Sequence, residues 1–332
     1  MKSPKLLNHL RSILRSKLYS DTVLMLHIIK YLDTVVSNFA KISIPILLIV
    51  YLIRGFVNGT FIPYSITYIV NGLKDENKNV LQAGLILLLA SSVIFAITEI
   101  AQMNYFKKLT RSIISLKKHI LSKIVRKDCL QENPEELVGK VASDVDFIVW
   151  NINAVLTTLL PNLFTALTAL ITIYSFNTTI GLITATSTIP YVIYAEIYTK
   201  RVEVYRALER KTYAQSIVHI KNIIYGEKVD KDLDNILKKW EYSVNKMMWL
   251  DRFYFSASLA TSLLSVSGVA LLASREVSSN KLSIGALSGI LYASITAHFG
   301  MLNAMWAFCI QGQTVSTLKR IVNYLLTSEK EC

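Results

Sequence analysis

Long apolar segments alternate along this 332-residue chain with segments rich in charged residues. The hydrocarbon core of a bilayer, about 30 Å thick, is crossed by a helix of roughly 20 apolar residues. Six such segments are present: residues 42–73, 79–98, two within 147–195, 253–274 and 282–318. Turn-forming residues at 175–179 divide the segment 147–195, which contains no charged residue. The pattern predicts an all-α membrane protein with six transmembrane helices.

The first predicted span carries a charge and a bend. Arg54 interrupts its apolar run, and Asn58, Gly59 and Pro63 follow shortly after. Proline removes a backbone hydrogen bond and glycine loosens a helical turn, so we expect the helix to bend there. An arginine in the bilayer costs roughly 2.5–3.5 kcal/mol on insertion scales. We therefore expect Arg54 either to pair with an acid such as Glu99 or to reach the membrane surface.

The connections between the predicted spans are alternately short and long. Residues 74–78, 175–179 and 275–281 are short and would lie on one side of the membrane. Most lysines and arginines fall elsewhere, so the positive-inside rule places both termini in the cytoplasm or its topological equivalent. The long connections, 99–146 and 196–252, keep a helical pattern with few glycines or prolines. We therefore expect long cytoplasmic extensions of the helices.

Residues 1–35 form a basic amphipathic N-terminal segment. The first twenty contain no acidic residue and have leucines and isoleucines at helical spacing. This pattern fits an organelle-targeting presequence and equally an interfacial elbow helix on the membrane. The predicted domains are this segment, a six-helix membrane domain over residues 36–327 and a tail over 328–332.

Composition narrows the class of protein. Hydrophobic residues make up 52% of the chain and charged residues 18%, and the mean hydropathy is +0.40, whereas soluble domains carry about 25% charged residues. The net charge of +13 comes from basic residues spread between the apolar spans, which favours membrane orientation over nucleic-acid binding. Cys129, Cys309 and Cys332 lack the spacing of a metal site or disulfide framework. We predict neither a metal site nor a catalytic residue.

Three motifs resemble parts of the membrane domain of ABC exporters. Residues 135–144 resemble a ten-residue family pattern of Gly, acid, Leu, any residue, Ser/Thr, Arg, aliphatic, any residue, small polar and Asp. The chain departs from the pattern at the first, fifth and sixth positions. Residues 282–287 resemble the Leu-Thr-Val-Gly-x-Leu that opens the sixth helix of that family. Residues 314–325 resemble its exit towards the nucleotide-binding domain. The resemblance implies the exporter fold, with six helices and long cytoplasmic extensions.

Within the exporters, the chain is most similar to the mitochondrial half-transporters linked to iron–sulfur-cluster and glutathione metabolism, through residues 159–164, 205–206, 226–228 and 234–238. The resemblance implies the inner membrane of a mitochondrion or mitochondrion-derived organelle, and a homodimer or heterodimer with another half-transporter. The sequence contains no G-x-x-x-x-G-K-[ST] loop for ATP phosphates. We therefore expect no cofactor in this chain, and ATP with Mg²⁺ bound on a nucleotide-binding domain supplied in trans.

The resemblance and the polar residues in the spans define two sets of candidate residues. The first set would contact the motor domain, on a hinge between the second and third spans and at the end of the fourth. Its members are Glu132, Glu135, Glu136, Lys140, Asp144, Arg206 and Arg210. The second set would face a substrate cavity, because polar groups inside a membrane either bond between helices or line a pathway. Its members are Asn104, Ser258, Ser262, Asn303 and Gln311.

These features predict the membrane-spanning subunit of an ATP-driven exporter, a part of a translocase without an ATPase site of its own. It would provide the translocation pathway and the contacts for a motor domain absent from this chain. The glutathione-site residues of the family are replaced here by Ala101, Phe255, Ser258 and Cys309. This loss favours a second hypothesis, a degenerate membrane scaffold or regulatory partner of a complete half-transporter. A membrane-embedded enzyme is disfavoured because no catalytic constellation converges in the spans.

Overall fold

The computed structural model describes residues 44–125, 145–225 and 232–330, and every element in those ranges is a helix. The elements are, in chain order, α1 (Ile44–Phe56), a π-helical turn called the π turn (Val57–Phe61), α2 (Ile62–Lys74), α3 (Lys78–Val125), α4 (Val145–Phe176), α5 (Thr178–Ser187), α6 (Ile189–Ile224), α7 (Asp232–Ser278) and α8 (Ile284–Lys330). The predicted all-α class is confirmed for these residues.

Six helical stretches are long and apolar enough to cross a membrane. They are Pro45–Lys74, Lys78–Lys108, Asn153–Phe176, Thr178–Ile220, Leu233–Ser278 and Ile284–Gln313, numbered here as the first to sixth spans. The first span consists of α1, the π turn and α2, and the fourth consists of α5 and α6. The number and order of the predicted transmembrane helices are confirmed over the described part of the chain.

Short turns join successive spans at one end of the bundle, here called the turn end. They lie where the turn-forming residues predicted them. The Asn177 side chain caps α5 by accepting a hydrogen bond of 3.0 Å from the amide of Ile180. Glu76 and Asn280, in the other two turns, have positive φ angles of 51° and 57°, a left-handed conformation in which asparagine is enriched.

The helices continue past the spans at the opposite end, here called the stalk end. From Lys108 to Val125, α3 extends for about 25 Å. From Gln313 to Lys330, α8 extends by a similar length. The predicted helical extensions are therefore confirmed where the chain is described. Residues 1–43, 126–144, 226–231 and 331–332, among them the N-terminal segment and the predicted hinge around residues 129–136, lie outside the described ranges.

The helices approach one another through small residues. Helix α8 contacts α2, α4, α6 and α7, and its residues Ala297 and Ala304 are fully buried. At Gly300 of the same helix, a Cβ atom would lie 2.8 Å from the carbonyl oxygen of Asn162 on α4. Small residues allow close backbone contact, and close contact provides much of the packing energy between membrane helices.

Between residues 86 and 100, the outer surface of α3 is apolar, the reverse of a soluble helix. Ile86, Leu89, Val93, Ile97 and Ile100 recur at helical spacing, and each exposes between 59% and 68% of its surface. A contiguous apolar stripe of this kind needs lipid or another apolar surface to cover it. This exposure supports an integral membrane protein independently of span length.

Candidate functional site

A cavity of about 470 Å³ lies between the first, second, third and sixth spans. Helices α1, α3, α4 and α8 and the π turn supply its lining. Its amide and charged side chains, with one tyrosine, are Tyr51, Arg54, Asn58, Gln102, Asn162 and Asn303. Threonines 157, 165 and 296 and Tyr292 add hydroxyl groups, and Pro161, Ile295 and Phe299 add apolar surface. Cavities of this volume hold small organic molecules in other proteins.

The charged part of the cavity lies towards the stalk end. The helical path from Arg54 to Lys74 at the turn end is about 30 Å at about 1.5 Å per residue. The path from Glu99 to Lys78 is nearly the same. Because the hydrocarbon core is also about 30 Å thick, Arg54 and Glu99 would lie near the membrane surface on the stalk side, where polar groups are less costly than at the bilayer centre.

Arg54 forms an ion pair with Glu99. Its Nη1 lies 2.7 Å from Oε1 of Glu99, and its side chain is 22% exposed, against 59% for Glu99. The guanidinium also lies over the ring of Phe95, 5.4 Å from the ring centroid, in cation–π range. The prediction that Arg54 pairs with Glu99 is confirmed.

A chain of hydrogen bonds holds the ion pair in place. The Tyr51 hydroxyl donates to Oε1 of Gln102 at 3.0 Å. Gln102 Nε2 in turn donates to Oε2 of Glu99 at 3.3 Å and approaches the carbonyl of Thr98 at 3.4 Å. Because Tyr51 and Arg54 are on α1 and the other residues are on α3, this network joins the first two spans.

Two threonines of α4 bond to the first span, one within the π turn and one just before it, and Asn58 of the turn lines the cavity. The amide of Ile62 bonds to the carbonyl of Val57, five residues earlier. Thr168 Oγ1 donates to the carbonyl of Gly55 at 2.6 Å, and Thr172 Oγ1 donates to the hydroxyl of Thr60 at 3.0 Å. Single π turns inside α-helices often occur at functional sites.

The opposite wall of the cavity presents oxygen acceptors and amide groups. Thr157 and Thr296 donate their hydroxyl protons to carbonyls of their own helices, at 2.9 and 2.8 Å, so their oxygens remain acceptors towards the cavity. Asn162 donates to the carbonyl of Thr158 at 2.7 Å. Among the described residues, the side chains of Asn58 and Asn303 form no hydrogen bond with protein, which leaves both amides available to a bound molecule.

One of the predicted cavity residues lines this cavity, and others are packed between helices. Asn303 is in the lining. Ser258 and Ser262 are buried on α7, and Gln311 is buried on α8. Asn104 lies on α3, but its side chain is outside the described part. The predicted role of these residues in substrate binding stays a prediction.

The buried Ser262 belongs to a hydrogen-bond chain across four helices. The Tyr191 hydroxyl lies 2.6 Å from Oγ of Ser262 and 3.0 Å from Nδ1 of His298. His298 Nε2 is 3.2 Å from the hydroxyl of Ser187. The chain thus connects α5, α6, α7 and α8 and satisfies polar groups that would be costly if unpaired.

The predicted motor-contacting arginines on α6 pack inside the chain. Arg206 and Arg210 lie with their guanidinium carbons 5.0 and 4.4 Å from the ring centroid of Phe147 on α4. Both also approach the carboxylate of Glu209, at 3.3 and 3.7 Å. The other predicted motor contacts, Glu132, Glu135, Glu136, Lys140 and Asp144, lie outside the described residues.

Tyr51, Asn58, Gln102 and Asn162 were not anticipated as cavity residues. A signal was present for Tyr51, Asn58 and Asn162, because each is a polar residue inside a predicted apolar span. Gln102 lies beyond the predicted second span, in a segment expected to be polar. Periodicity along one helix does not show which polar face meets the polar faces of three other helices. The inter-helix contacts were needed to bring these residues together.

The described residues contain no group of three His, Cys, Asp or Glu side chains that could hold a metal ion. The chemistry of the cavity is therefore that of one arginine, several amides and several hydroxyls. In comparisons with known proteins, no protein-family model and no curated protein matches this chain.

Proposed function

We propose that this chain is the membrane-spanning subunit of an ATP-driven exporter of the ABC type. The observation that carries the proposal is the polar cavity with Arg54 inside a bundle of six candidate spans. Ionisable groups within membrane spans are costly and usually mark a binding site or pathway for a polar solute.

The helical extensions at the stalk end support the same proposal. Helices α3 and α8 continue past the spans without a break to Val125 and Lys330, so they can transmit movement as rigid rods. A motor domain bound in trans would press on the hinge around residues 129–136 and switch the cavity between two openings. ATP and Mg²⁺ would bind to that motor domain.

The complete pathway in this proposal contains a second half-transporter, either another copy of this chain or a related one. The proposed location is the inner membrane of a mitochondrion or of an organelle derived from one. Both parts of the proposal rest on the resemblance of the sequence motifs to the mitochondrial half-transporters.

The test is recruitment of an ATP-hydrolysing partner through the hinge. The full chain, purified from its native membrane in mild detergent, is expected to carry vanadate-sensitive ATPase activity. The double substitution Glu136→Ala with Asp144→Ala should remove that activity, because it removes both acids that keep the exporter pattern. The matched control, Asp75→Ala with Glu76→Ala, removes two acids at the turn end and should retain it.

Two results would contradict the proposal. One is purified wild-type chain without ATPase activity, and the other is equal activity in the hinge variant and the control. Either result would favour the second candidate function, a scaffold or regulatory partner that does not transport. The observation that favours this alternative is the burial of Ser258 and Ser262, two predicted cavity residues, between helices.

A further inference from the structure

We propose that the cavity between the first, second, third and sixth spans binds a small organic anion with one carboxylate or phosphate group, and that Arg54 is its counter-charge. This inference rests on the proposed function in taking the bound anion as the transported molecule. It adds a chemical class of ligand and names the residue that selects it.

The charge of the lining favours an anion. Arg54 is the charged residue among those that line the cavity, and its partner Glu99 lies outside the lining. A guanidinium offers several N–H donors in a plane that matches a carboxylate or phosphate. The ion pair uses one short contact of 2.7 Å, so further donors of Arg54 remain for a ligand.

The rest of the lining favours an organic body over an inorganic ion. The amides of Asn58 and Asn303 offer donors and acceptors, while Phe299 and Ile295 offer apolar surface. A volume of about 470 Å³ is much larger than one inorganic phosphate. Sites for organic ligands combine apolar surface with placed polar groups, and this lining contains both, with the polar side chains in the majority.

Glu99 acts in this proposal as an internal competitor for the ligand. Its side chain is 59% exposed and lies near the membrane surface at the stalk end, so its carboxylate can separate from Arg54 without being buried alone. Gln102, which donates to Glu99 at 3.3 Å, would continue to bind it. The anionic group of the ligand then takes the position beside Arg54.

The experiment uses pairs of probes that differ in charge. The full-length chain is placed in nanodiscs of phosphatidylcholine without ATP, and binding is measured by equilibrium dialysis. N-acetyltyrosine is compared with the neutral N-acetyltyrosinamide as a soluble pair. Dioctanoyl phosphatidate is compared with dioctanoylglycerol as a lipid pair. The pair that shows charge-dependent binding identifies whether the anion is a soluble molecule or a lipid headgroup.

Arg54→Gln should weaken the binding of the charged probe by roughly ten- to a hundredfold, the range for hydrogen bonds to charged groups. Binding of the neutral probe should stay the same. Glu99→Gln should strengthen binding of the charged probe by up to about fivefold, because a partly exposed competing ion pair is lost. The control Arg275→Gln removes an arginine at the turn end and should change neither probe.

A general loss of folding would weaken binding of the charged probe in both variants. Weaker binding in Arg54→Gln together with stronger binding in Glu99→Gln therefore excludes it. Equal binding of charged and neutral probes in both pairs would overturn the inference. Unchanged affinity in Arg54→Gln, or weaker binding in Glu99→Gln, would also overturn it. Arg54-dependent binding without partner ATPase activity would leave this inference standing and the exporter proposal contradicted. Partner ATPase activity without Arg54-dependent binding would contradict this inference and leave the exporter proposal standing.

Discussion

The buried hydroxyl of Tyr191 joins three helices at a single oxygen atom. It lies within hydrogen-bond distance of Ser262 on α7 and His298 on α8, and its ring meets the His298 ring edge to face at 5.9 Å. Tyr191 and His298 are fully buried. A buried hydroxyl in such a position cannot be replaced by water without opening the helix contacts, so its loss should weaken the bundle.

We expect Tyr191→Phe to lower the free energy of unfolding by about 1 kcal/mol, since a buried hydrogen bond contributes roughly that amount. The measurement is unfolding of the detergent-solubilised chain by increasing fractions of dodecyl sulfate. The matched control is Tyr174→Phe on α4, where the side chain is about half exposed. Equal stability of the two variants would show that the Tyr191 chain of hydrogen bonds contributes nothing measurable.

Some cavity residues could be predicted from the sequence around a single position, and others depend on contacts between helices. An arginine in an apolar run needs either an acidic partner or an exit to the membrane surface, and the first of these two alternatives, with Glu99 as the partner, is the one observed. Asn303 was found because an amide in the last span is conspicuous. Asn58 and Gln102 were not found, because their common position depends on a π turn and on the contact between the first two spans.

At the scale of helices, the contact between the π turn and α4 depends on one glycine. A Cβ atom at Gly59 would lie 2.1 Å from Oγ1 of Thr168 and 2.5 Å from the backbone nitrogen of Ala169. A threonine hydroxyl can rotate away, but a helix backbone cannot move without separating the two helices. The close approach of the first and third spans therefore requires a residue without a side chain here.

Gly59→Ala should destabilise the chain by roughly 2 kcal/mol, the usual cost of forcing extra volume into a packed contact. Gly268→Ala on α7 is the matched control, because a Cβ there meets nothing within 4 Å. That substitution should be neutral or stabilising, as expected for alanine in a helix. Detergent unfolding of both variants tests the difference, and a stable Gly59→Ala variant would contradict the described contact.

The sequence predicted the number, order and turns of the helices better than their internal breaks. Uncharged length decides whether a helix can span a bilayer, and Asn177, which caps α5, lies within the predicted turn at 175–179. The sequence predicted a bend near Pro63 but not a π turn. Whether a helix encloses an extra residue in one turn depends on how it packs against its neighbour, here α4. The break between α5 and α6 at Thr188 was not predicted either, because it lies within the segment 147–195, which contains no charged residue.

At the scale of the whole molecule, the distribution of charge predicts its orientation in a membrane. The turns carry few basic residues, while the stalk end carries many, including Lys107, Lys108, Lys117 and Lys118 on α3. The positive-inside rule assigns the stalk end to the cytoplasm or its equivalent. The same end holds the Arg54–Glu99 ion pair, so the predicted cytoplasmic side is also the side nearest to the charged part of the cavity.

Labelling of single cysteines tests this orientation. Ser279→Cys at the turn end and Lys118→Cys on α3 are compared after replacement of Cys129 and Cys332 by serine, while Cys309 is buried. In right-side-out bacterial vesicles, a membrane-impermeant maleimide should modify Ser279→Cys and not Lys118→Cys. In inside-out vesicles, the same reagent should modify Lys118→Cys and not Ser279→Cys. Labelling of both positions from one side would contradict an arrangement of spans with these ends on opposite sides.

The π turn also fixes the direction of Arg54. Its bond from Ile62 to Val57 encloses one residue more than an α-helical bond, and each residue rotates a helix by about 100°. If the same residues closed as a regular α-helix, Arg54 would rotate by about 100° relative to α2, which its contacts with α8 hold in place. A change between these two hydrogen-bond patterns would thus remove the cation from the cavity without any change of sequence.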